Sequence, residues 1–238
     1  MSITIYILCF NEEILLPYTL EHYKRMFPAA KVVVVDNVST DATVHIAKGY
    51  GCEVISFDTE GKLSDLNFQH IKNNYWKHAT SDFVLVCDCD EWLFITEEEL
   101  GIEAQRGRTI IRSEAYHMIN MEDNLDLAGI THGFRDEQTA IFYDKCLLFD
   151  RTQIQEINYN VGAHSVRPVG RVSYTDGTYK LYHYKYISPD YLVNRYKSYA
   201  ERMSQENITH SYGGQFLETE QTIRTQFEEN RAKSVKIL

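Results

Sequence analysis

The first hundred residues alternate between short apolar runs and segments with helical spacing, and this alternation restricts the fold more than any other feature. The run from Val32 to Val35 is continuous and β-branched, which is typical of a strand buried on both faces, and Ile3 to Cys9 is also predicted to be a strand. Between them, Leu16, Leu20 and Tyr23 recur at helical spacing. Strands joined by helices of this length predict a mostly parallel sheet with right-handed crossovers and flanking helices, an α/β fold.

The same pattern continues along the chain and then becomes less regular. Further predicted elements of the first half are a helix over 42–50, a strand over 53–57, a helix over 64–78, a strand over 83–86 and a short helix after the capping box of Thr96 and Glu99. In the second half the pattern predicts strands over 109–112, 140–149, 171–174 and 179–184, some of them antiparallel, and helices over 189–204 and 217–233.

Length and charge narrow the class of protein. A chain of 238 residues suits one domain better than two, and no apolar stretch is long enough to cross a bilayer. The formal net charge of -10 argues against nucleic acid as the main partner. Five cysteines, mostly in or beside apolar runs, are typical of reduced thiols in a cytoplasmic protein.

The segment FVLVCDCDEWL carries the sharpest chemical signal. Residues two apart in an extended segment point to the same side, so Asp88 and Asp90 can face one ligand together. Two adjacent carboxylates favour a hard divalent cation, Mn²⁺ or Mg²⁺, which can bridge the phosphates of a nucleoside diphosphate. A solvated acidic turn after a strand is the alternative interpretation.

Polar residues also follow the first two predicted strands. Asn11 and Glu12 come after the first strand, and Asp36 and Asn37 come after the second. Because ligands of parallel sheets bind at the carboxyl ends of the strands, we expect these residues to meet Asp88 and Asp90 at one edge. A carboxylate such as Asp36 can accept hydrogen bonds from a base imide or a ribose hydroxyl group.

Three segments in order, YILCFNEE, VVVVDNVSTDAT and LVCDCDEWL, resemble glycosyltransferase family 2 enzymes of GT-A type. The resemblance implies a metal-dependent transferase that uses a nucleotide-diphosphate sugar and a carbohydrate acceptor. It also implies a nucleotide-binding half over 1–100 and an antiparallel acceptor-side half over 101–238. By the same resemblance Cys9, Phe10 and Asp36 hold the base and ribose, and Asp88 and Asp90 contact ribose and metal. Three later segments, GKLSDLNFQHIKNNYWK, NYNVGAHS and LYHYKY, are similar to a smaller branch from bacteria and large viruses.

The chain departs from the family pattern in two places. Asp36-Asn37 stands where the family usually has two aspartates, and the acceptor-side Glu-Asp that supplies a catalytic base is not found at its usual place. Asp136, Glu156 and His164 remain as alternative bases for an inverting transfer, whereas a retaining mechanism would not require one.

Three more residues are candidates for the donor site. Many GT-A enzymes complete the metal shell with a late histidine, and His183 fits that position, although a core or surface histidine is an equal alternative. Lys185 is placed to reach the diphosphate as a point charge. Asp65, in the first turn of the third predicted helix, could touch the base or an acceptor hydroxyl group, or could be an ordinary acidic residue of a helix start.

Two other functions stay open at this point. A strand followed by Asp-x-Asp also begins the haloacid dehalogenase motif of phosphohydrolases, although three βα units precede it here. A nucleotide-binding module without catalysis is the other alternative, because the usual base motif is missing.

Overall fold

The structure is a computed structural model that describes residues 1–136 and 140–238. The elements of its first 105 residues are β1 Ile3–Cys9, α1 Leu16–Met26, β2 Lys31–Asp36, α2 Thr43–Gly49, β3 Glu53–Ser56, α3 Asp65–Asn74, β4 Phe83–Asp88, β5 Glu91–Phe94 and α4 Glu97–Gln105. Those that follow are β6 Ser113–Ile119, β7 His132–Phe134, β8 Leu148–Asp150, β9 Ile154–Glu156, β10 Val169–Gly170, β11 Tyr179–Tyr186, α5 Pro189–Arg202, α6 Gln205–Thr209, α7 Glu220–Lys233 and β12 Val235–Lys236.

The first sheet has the strand order β3-β2-β1-β4-β8. Its first four strands are parallel, and β8 joins the far edge antiparallel to β4. The predicted parallel sheet with flanking helices is therefore confirmed. Because β1 is central, its C-terminal end lies between those of β2 and β4, which brings the polar residues after these three strands to one edge.

The second sheet has the strand order β12-β7-β6-β11-β5. Only the β6–β11 pair is parallel, so the predicted antiparallel extension is also confirmed. Strand β5 follows β4 after a two-residue turn, yet it pairs with β11 of the second sheet. The Asp-x-Asp segment thus lies where the chain leaves one sheet for the other.

Alternation along β1 builds two separate cores. Ile3, Ile5 and Ile7 face a core that also contains α1 and the second sheet. Tyr6 and Leu8 face the opposite core, under α3. Every residue of β1 is buried, including Thr4, which explains why its sequence is mostly apolar and shows no polar alternation.

Several predicted boundaries are confirmed by the structure. Helix α1 begins at Leu16 with Pro17 in its first turn, and Thr96 and Glu99 form the expected capping box. The third predicted helix ends early, because α3 stops at Asn74 and a 3₁₀ turn continues to His78.

The irregular second half was predicted less well. Segments 109–112 and 171–174 are not strands; they contribute only isolated bridges, from Ile110 to Phe149 and to Tyr174. Of the strand predicted over 140–149, only its end is extended, in β8. The 3₁₀ turn Gly214–Leu217 precedes α7, which therefore begins at Glu220 rather than at Leu217. These segments are held by tertiary pairing, which local sequence does not encode.

Among the helices described, none has the length and apolar character that a membrane crossing requires. All five cysteines are free thiols, as the sequence predicts.

Candidate functional site

A cavity of about 850 Å³ opens at the carboxyl ends of β1 and β4. Helices α3 and α5, strand β11 and the segments 142–145, 160–164 and 211–216 complete its wall. Five carboxylates and five basic side chains line it: Glu12, Asp65, Asp88, Asp90, Glu91, Lys72, Lys145, Lys185, Arg195 and Arg202. The cavity is therefore nearly balanced in charge, although the chain as a whole is strongly acidic.

Asp88 is held by two lysines. Its Oδ2 atom accepts a hydrogen bond from Lys72 Nζ at 2.7 Å, and Lys145 Nζ lies 3.8 Å away. Burial opposes ionisation of Asp88, but the charges of Lys72 and Lys145 outweigh it and lower the pKa of this carboxyl group. Asp88 is therefore ionised and points toward lysines.

Lys145 links this carboxylate to Glu91, the first residue of β5. Its ammonium nitrogen lies 2.5 Å from Glu91 Oε1, and both side chains are buried. Burial disfavours the charged lysine, but Glu91 and Asp88 more than compensate and raise its pKa. Glu91 also accepts the backbone N–H of Asp88 at 2.9 Å, which fixes the turn between the sheets.

Asp90 lies on the other side of that turn, beside β11 and α5. Its Oδ2 atom lies 3.2 Å from His183 Nε2 and 3.3 Å from Arg195 Nη2. Burial would raise the pKa of Asp90, but His183 and then Arg195 outweigh it and hold that pKa well below its usual range. Arg195 also pairs with Glu12 at 2.8 Å, and burial raises the pKa of Glu12 to about 7 although Arg195 opposes it.

We tested whether these residues suit a divalent metal. Within the described residues, no three or more His, Cys, Asp or Glu side chains are grouped around one metal position. The pair of Asp90 and His183 does fit two adjacent ligands: neighbouring ligands of an octahedral ion at about 2.1 Å lie about 3 Å apart, close to the observed 3.2 Å. An ion that keeps waters and substrate phosphates as its other ligands needs no larger protein cage.

Lys185 is the one cavity lysine that has no ion-pair partner among the described residues. Its ammonium group lies near the rings of Tyr186 and Tyr196, at 5.4 and 5.3 Å from their centroids. Burial lowers the pKa of Lys185 to about 8, since Asp90 compensates only in part. A partly buried cation without a carboxylate partner is suited to bind an anionic ligand.

His164 also lies in the cavity wall, with its ring centroid 6.3 Å from that of Tyr143. Its Nδ1 atom contacts the backbone carbonyl oxygen of Phe142, which can only accept, so Nδ1 carries the proton and Nε2 is free to take one. Burial, and then the charge of Lys145, lower the pKa of His164. The imidazole is therefore neutral near pH 7, as a general base must be.

Comparisons with known proteins agree on one family. Residues 4–97 match the model of glycosyl transferase family 2. An uncharacterized glycosyltransferase from Rickettsia typhi is 26% identical over 218 residues, which are 87% of this chain and 68% of that protein. Protein RfbJ from Shigella flexneri is 28% identical over 90 residues, which are 38% of this chain and 65% of that protein.

A solved structure supports the fold. The fragment 1–349 of TarS from S. aureus aligns with a TM-score of 0.50 and 15% identity, over 98% of this chain and 74% of that one. These matches support a glycosyltransferase whose N-terminal part is family 2-like.

The glycosyltransferase brings nine of the sequence-predicted site residues to the cavity wall. They are Cys9, Phe10, Glu12, Asp65, Asp88, Asp90, His164, His183 and Lys185. Asp88 and Asp90 do not face the same way, since Asp88 contacts lysines and Asp90 contacts His183. The metal role of Asp88 thus stays a prediction.

Three predicted donor-site residues are not part of the cavity wall. Asn11 stabilises the turn after β1 by accepting the backbone N–H of Thr40 at 2.8 Å. Asp36 is buried, with Oδ2 bonded to the backbone N–H of Ser39 and Oδ1 without a hydrogen-bond partner. Asn37 accepts a hydrogen bond from Arg202, so it reaches the cavity only through that arginine.

Two of the three candidate bases are also outside the wall. Glu156 forms an ion pair with Lys77 at 2.7 Å in β9. Asp136 does not line the cavity. Its charge does contribute to the raised pKa of Tyr143, which is a residue of the cavity wall. Of the three candidates, the glycosyltransferase places His164 alone in the cavity wall.

Sequence reasoning did not assign a role to the basic residues Lys145, Arg195 and Arg202. Lys145 lies within the strand predicted over 140–149, where no motif marks it as a site residue. Arg195 and Arg202 are seven residues apart on a predicted helix, which places them on one face. That spacing was visible and could have identified them.

Proposed function

We propose that this glycosyltransferase moves a sugar from a nucleotide-diphosphate donor to a hydroxyl group of a carbohydrate acceptor, with Mn²⁺ or Mg²⁺ held by Asp90 and His183. The observation that carries the proposal is the position of an unpaired, partly buried cation, Lys185, beside that carboxylate and imidazole. A metal site and a lone ammonium group side by side suit a diphosphate, whose charge exceeds what either neutralises alone.

The first requirement of the reaction is to stabilise the negative charge of the diphosphate as it leaves the sugar. A divalent ion bound at Asp90 and His183 would supply positive charge to the diphosphate as the bond to the sugar breaks. Lys185 contributes a fixed charge from the same wall, and Arg195 holds Asp90 in place from α5. These groups are ordered before the reaction, so little reorganisation is required when charge develops.

His164 is our proposed base for the acceptor. An acceptor oxygen attacks the anomeric carbon, the bond from that carbon to the diphosphate breaks, and the acceptor's proton passes to Nε2 of His164. This arrangement fits transfer with inversion at the anomeric carbon. The role of Asp36 at the nucleoside end stays a prediction, because its unpartnered Oδ1 atom is buried outside the cavity wall.

The proposed function is tested with Asp90→Asn. This change keeps the shape of the side chain but removes the charge between His183 and Arg195, so donor turnover should fall at least about a hundredfold and should no longer respond to Mn²⁺. Asp176→Asn is the control, since this carboxylate pairs with Arg108 outside the cavity. Turnover of the Asp90 variant at the wild-type rate, or full wild-type turnover in excess chelator, would rule out the metal role.

A second measurement separates transfer from binding. His164→Ala should lower transfer to the acceptor about a hundredfold or more, while the affinity for the donor changes little. Glu156→Gln should transfer normally, because that side chain is engaged with Lys77. A normal rate for the His164 variant would exclude it as the base. Nucleotide binding with no transfer by the wild-type protein would instead support a non-catalytic module.

A further inference from the structure

Helix α5 runs along the cavity and touches both ends of it. Arg195 contacts Glu12 and Asp90 near the metal-binding pair, whereas Arg202 contacts residues that follow β1 and β2. The two arginines are seven residues apart, about 10.5 Å along a helix axis and on the same face. This separation is comparable to the distance from a diphosphate to its nucleobase. Helix α5 lies outside the residues matched by the family model.

The charges of the cavity distinguish its two ends. Asp90, His183 and Lys185 gather beside β4 and β11, which is the end suited to the diphosphate. The other end, beside β2 and β3, holds Phe10 and Arg202. A nucleotide that places its phosphates at the first end must extend its base toward the second.

Arg202 is held rigidly at that second end. Its Nε atom donates to the carbonyl oxygen of Gly61 at 3.0 Å, and Nη2 donates to Asn37 Oδ1 at 2.6 Å. Its guanidinium carbon lies 3.1 Å from the centroid of the Phe10 ring. The backbone is fixed as well, because Arg202 O accepts the N–H of Leu63 at 2.7 Å.

One donor of this fixed guanidinium is unused. The Nη1 atom is buried and has no hydrogen-bond partner. A buried donor without an acceptor costs free energy, and a ligand that brings an acceptor to this edge of the guanidinium recovers it. Because the group is pre-oriented by three contacts, little entropy is lost when the bond forms.

We propose that Arg202 recognises a carbonyl oxygen of the donor's nucleobase, so that α5 selects donors whose base carries one. Uracil, thymine and guanine present such an oxygen, and adenine does not. This inference rests on the proposed function, because it takes the cavity to be the donor site. It adds a base-reading residue from the C-terminal part of the chain.

The experiment measures dissociation constants by calorimetry for four probes: UDP, GDP, ADP and inorganic pyrophosphate. For the wild-type protein, UDP or GDP should bind at least about tenfold more tightly than ADP. In Arg202→Met, the dissociation constant of the preferred nucleotide should rise about tenfold, and that of pyrophosphate should not change. Arg202→Lys keeps the charge but loses the planar donor group, so it should behave like Arg202→Met.

Two control variants define the comparison. Lys185→Met removes the unpaired cation at the other end, so it should weaken nucleotide and pyrophosphate by the same factor. Lys197→Met removes a charge from the exposed side of α5, where Lys197 pairs with Glu220, and should change neither. Thermal unfolding of each variant establishes that it is folded. The base preference is measured on the wild-type protein, so it does not depend on whether any variant folds.

Three outcomes would overturn the proposal for Arg202. They are equal weakening of pyrophosphate and nucleotide in Arg202→Met, unchanged nucleotide affinity in that variant, or ADP binding as tightly as the best other nucleotide. Failure of the proposed function looks different: the wild-type protein would then bind neither nucleotides nor pyrophosphate.

Discussion

Lys145 is the ion-pair partner of two carboxylates of this cavity. It is buried between Glu91 and Asp88, and no other basic side chain among the described residues forms an ion pair with Glu91. An ion pair of this kind contributes little net stability compared with apolar packing, but the loss of one partner leaves a buried charge without compensation.

Lys145→Met should therefore lower the free energy of unfolding by about 3–5 kcal/mol. Lys31→Met is the matched control: Lys31 also contacts a glutamate, Glu53, at 2.6 Å, but both side chains are exposed. Its loss should cost less than about 1 kcal/mol. Urea denaturation of both variants measures the difference. Equal effects would show that Glu91 finds another partner or is protonated.

A glycine next to His164 determines where that ring can lie. Gly162 has φ +75°, and a Cβ atom built on it would come within 2.2 Å of His164 Nε2. Gly162→Ala should displace the imidazole and cost about 1–2 kcal/mol of backbone strain. We expect acceptor transfer to fall at least about tenfold while donor affinity is retained. Gly177→Ala is the control, since nothing lies within 4 Å of its added Cβ. Normal transfer by the Gly162 variant would argue against His164 as the base.

At the scale of elements, α1 positions the turn that carries Asp90. Thr19 donates to the carbonyl oxygen of Cys89 at 2.6 Å, and Tyr23 donates to that of Glu91 at 2.7 Å. His22 Nε2 bonds to the carbonyl oxygen of Leu93 at 2.9 Å. One face of the helix thus satisfies three backbone carbonyl groups between β4 and the end of β5, where the chain changes sheets. These hydrogen bonds explain why the buried face of α1 contains polar residues.

The same contact predicts a pH dependence of stability. His22 is buried, and burial lowers its pKa from 6.5 to about 4. A depressed pKa means that the neutral ring is stabilised, so this contribution is complete above pH 6.5 and is lost as the pH falls toward 4. We expect the wild-type protein to lose about 3 kcal/mol more than His22→Gln over this range. Urea denaturation at a series of pH values measures it, and parallel curves for the two proteins would refute the assignment.

At the scale of the whole molecule, the cavity joins parts of the chain that are far apart in sequence. Leu8, Cys9, Phe10, Glu12 and residues 88–91 form one part of the wall, and residues between 195 and 216 form another. A nucleotide that contacts both parts must hold them together. Nucleotide binding should therefore stabilise the fold and slow hydrogen exchange in both parts of the wall.

We expect UDP or GDP, at a hundred times its dissociation constant, to raise the free energy of unfolding by about 2.7 kcal/mol. For a chain of this length the melting temperature should rise by roughly 5–10 °C. Hydrogen exchange should slow both in residues 8–12 and in residues 195–212. Protection confined to the first hundred residues would contradict a site shared between the two parts of the chain.

The sequence by itself determined the first sheet and the residues that follow its strands. Short, mostly apolar runs and helices of regular spacing are local patterns, and parallel pairing follows from the length of the connections. Asp88, Asp90, Glu12 and His183 were found because residues after parallel strands, or in a motif of a known family, reach a common edge.

Only the tertiary structure decided which partner each charge has. Asp88 faces Lys72 and Lys145, and Asp90 faces His183 and Arg195, because β5 leaves the first sheet and pairs with β11. Contacts such as that of Arg202 with Asn37 join residues 165 positions apart. Such contacts depend on how separate elements pack against each other, and local propensity and periodicity carry no information about that packing.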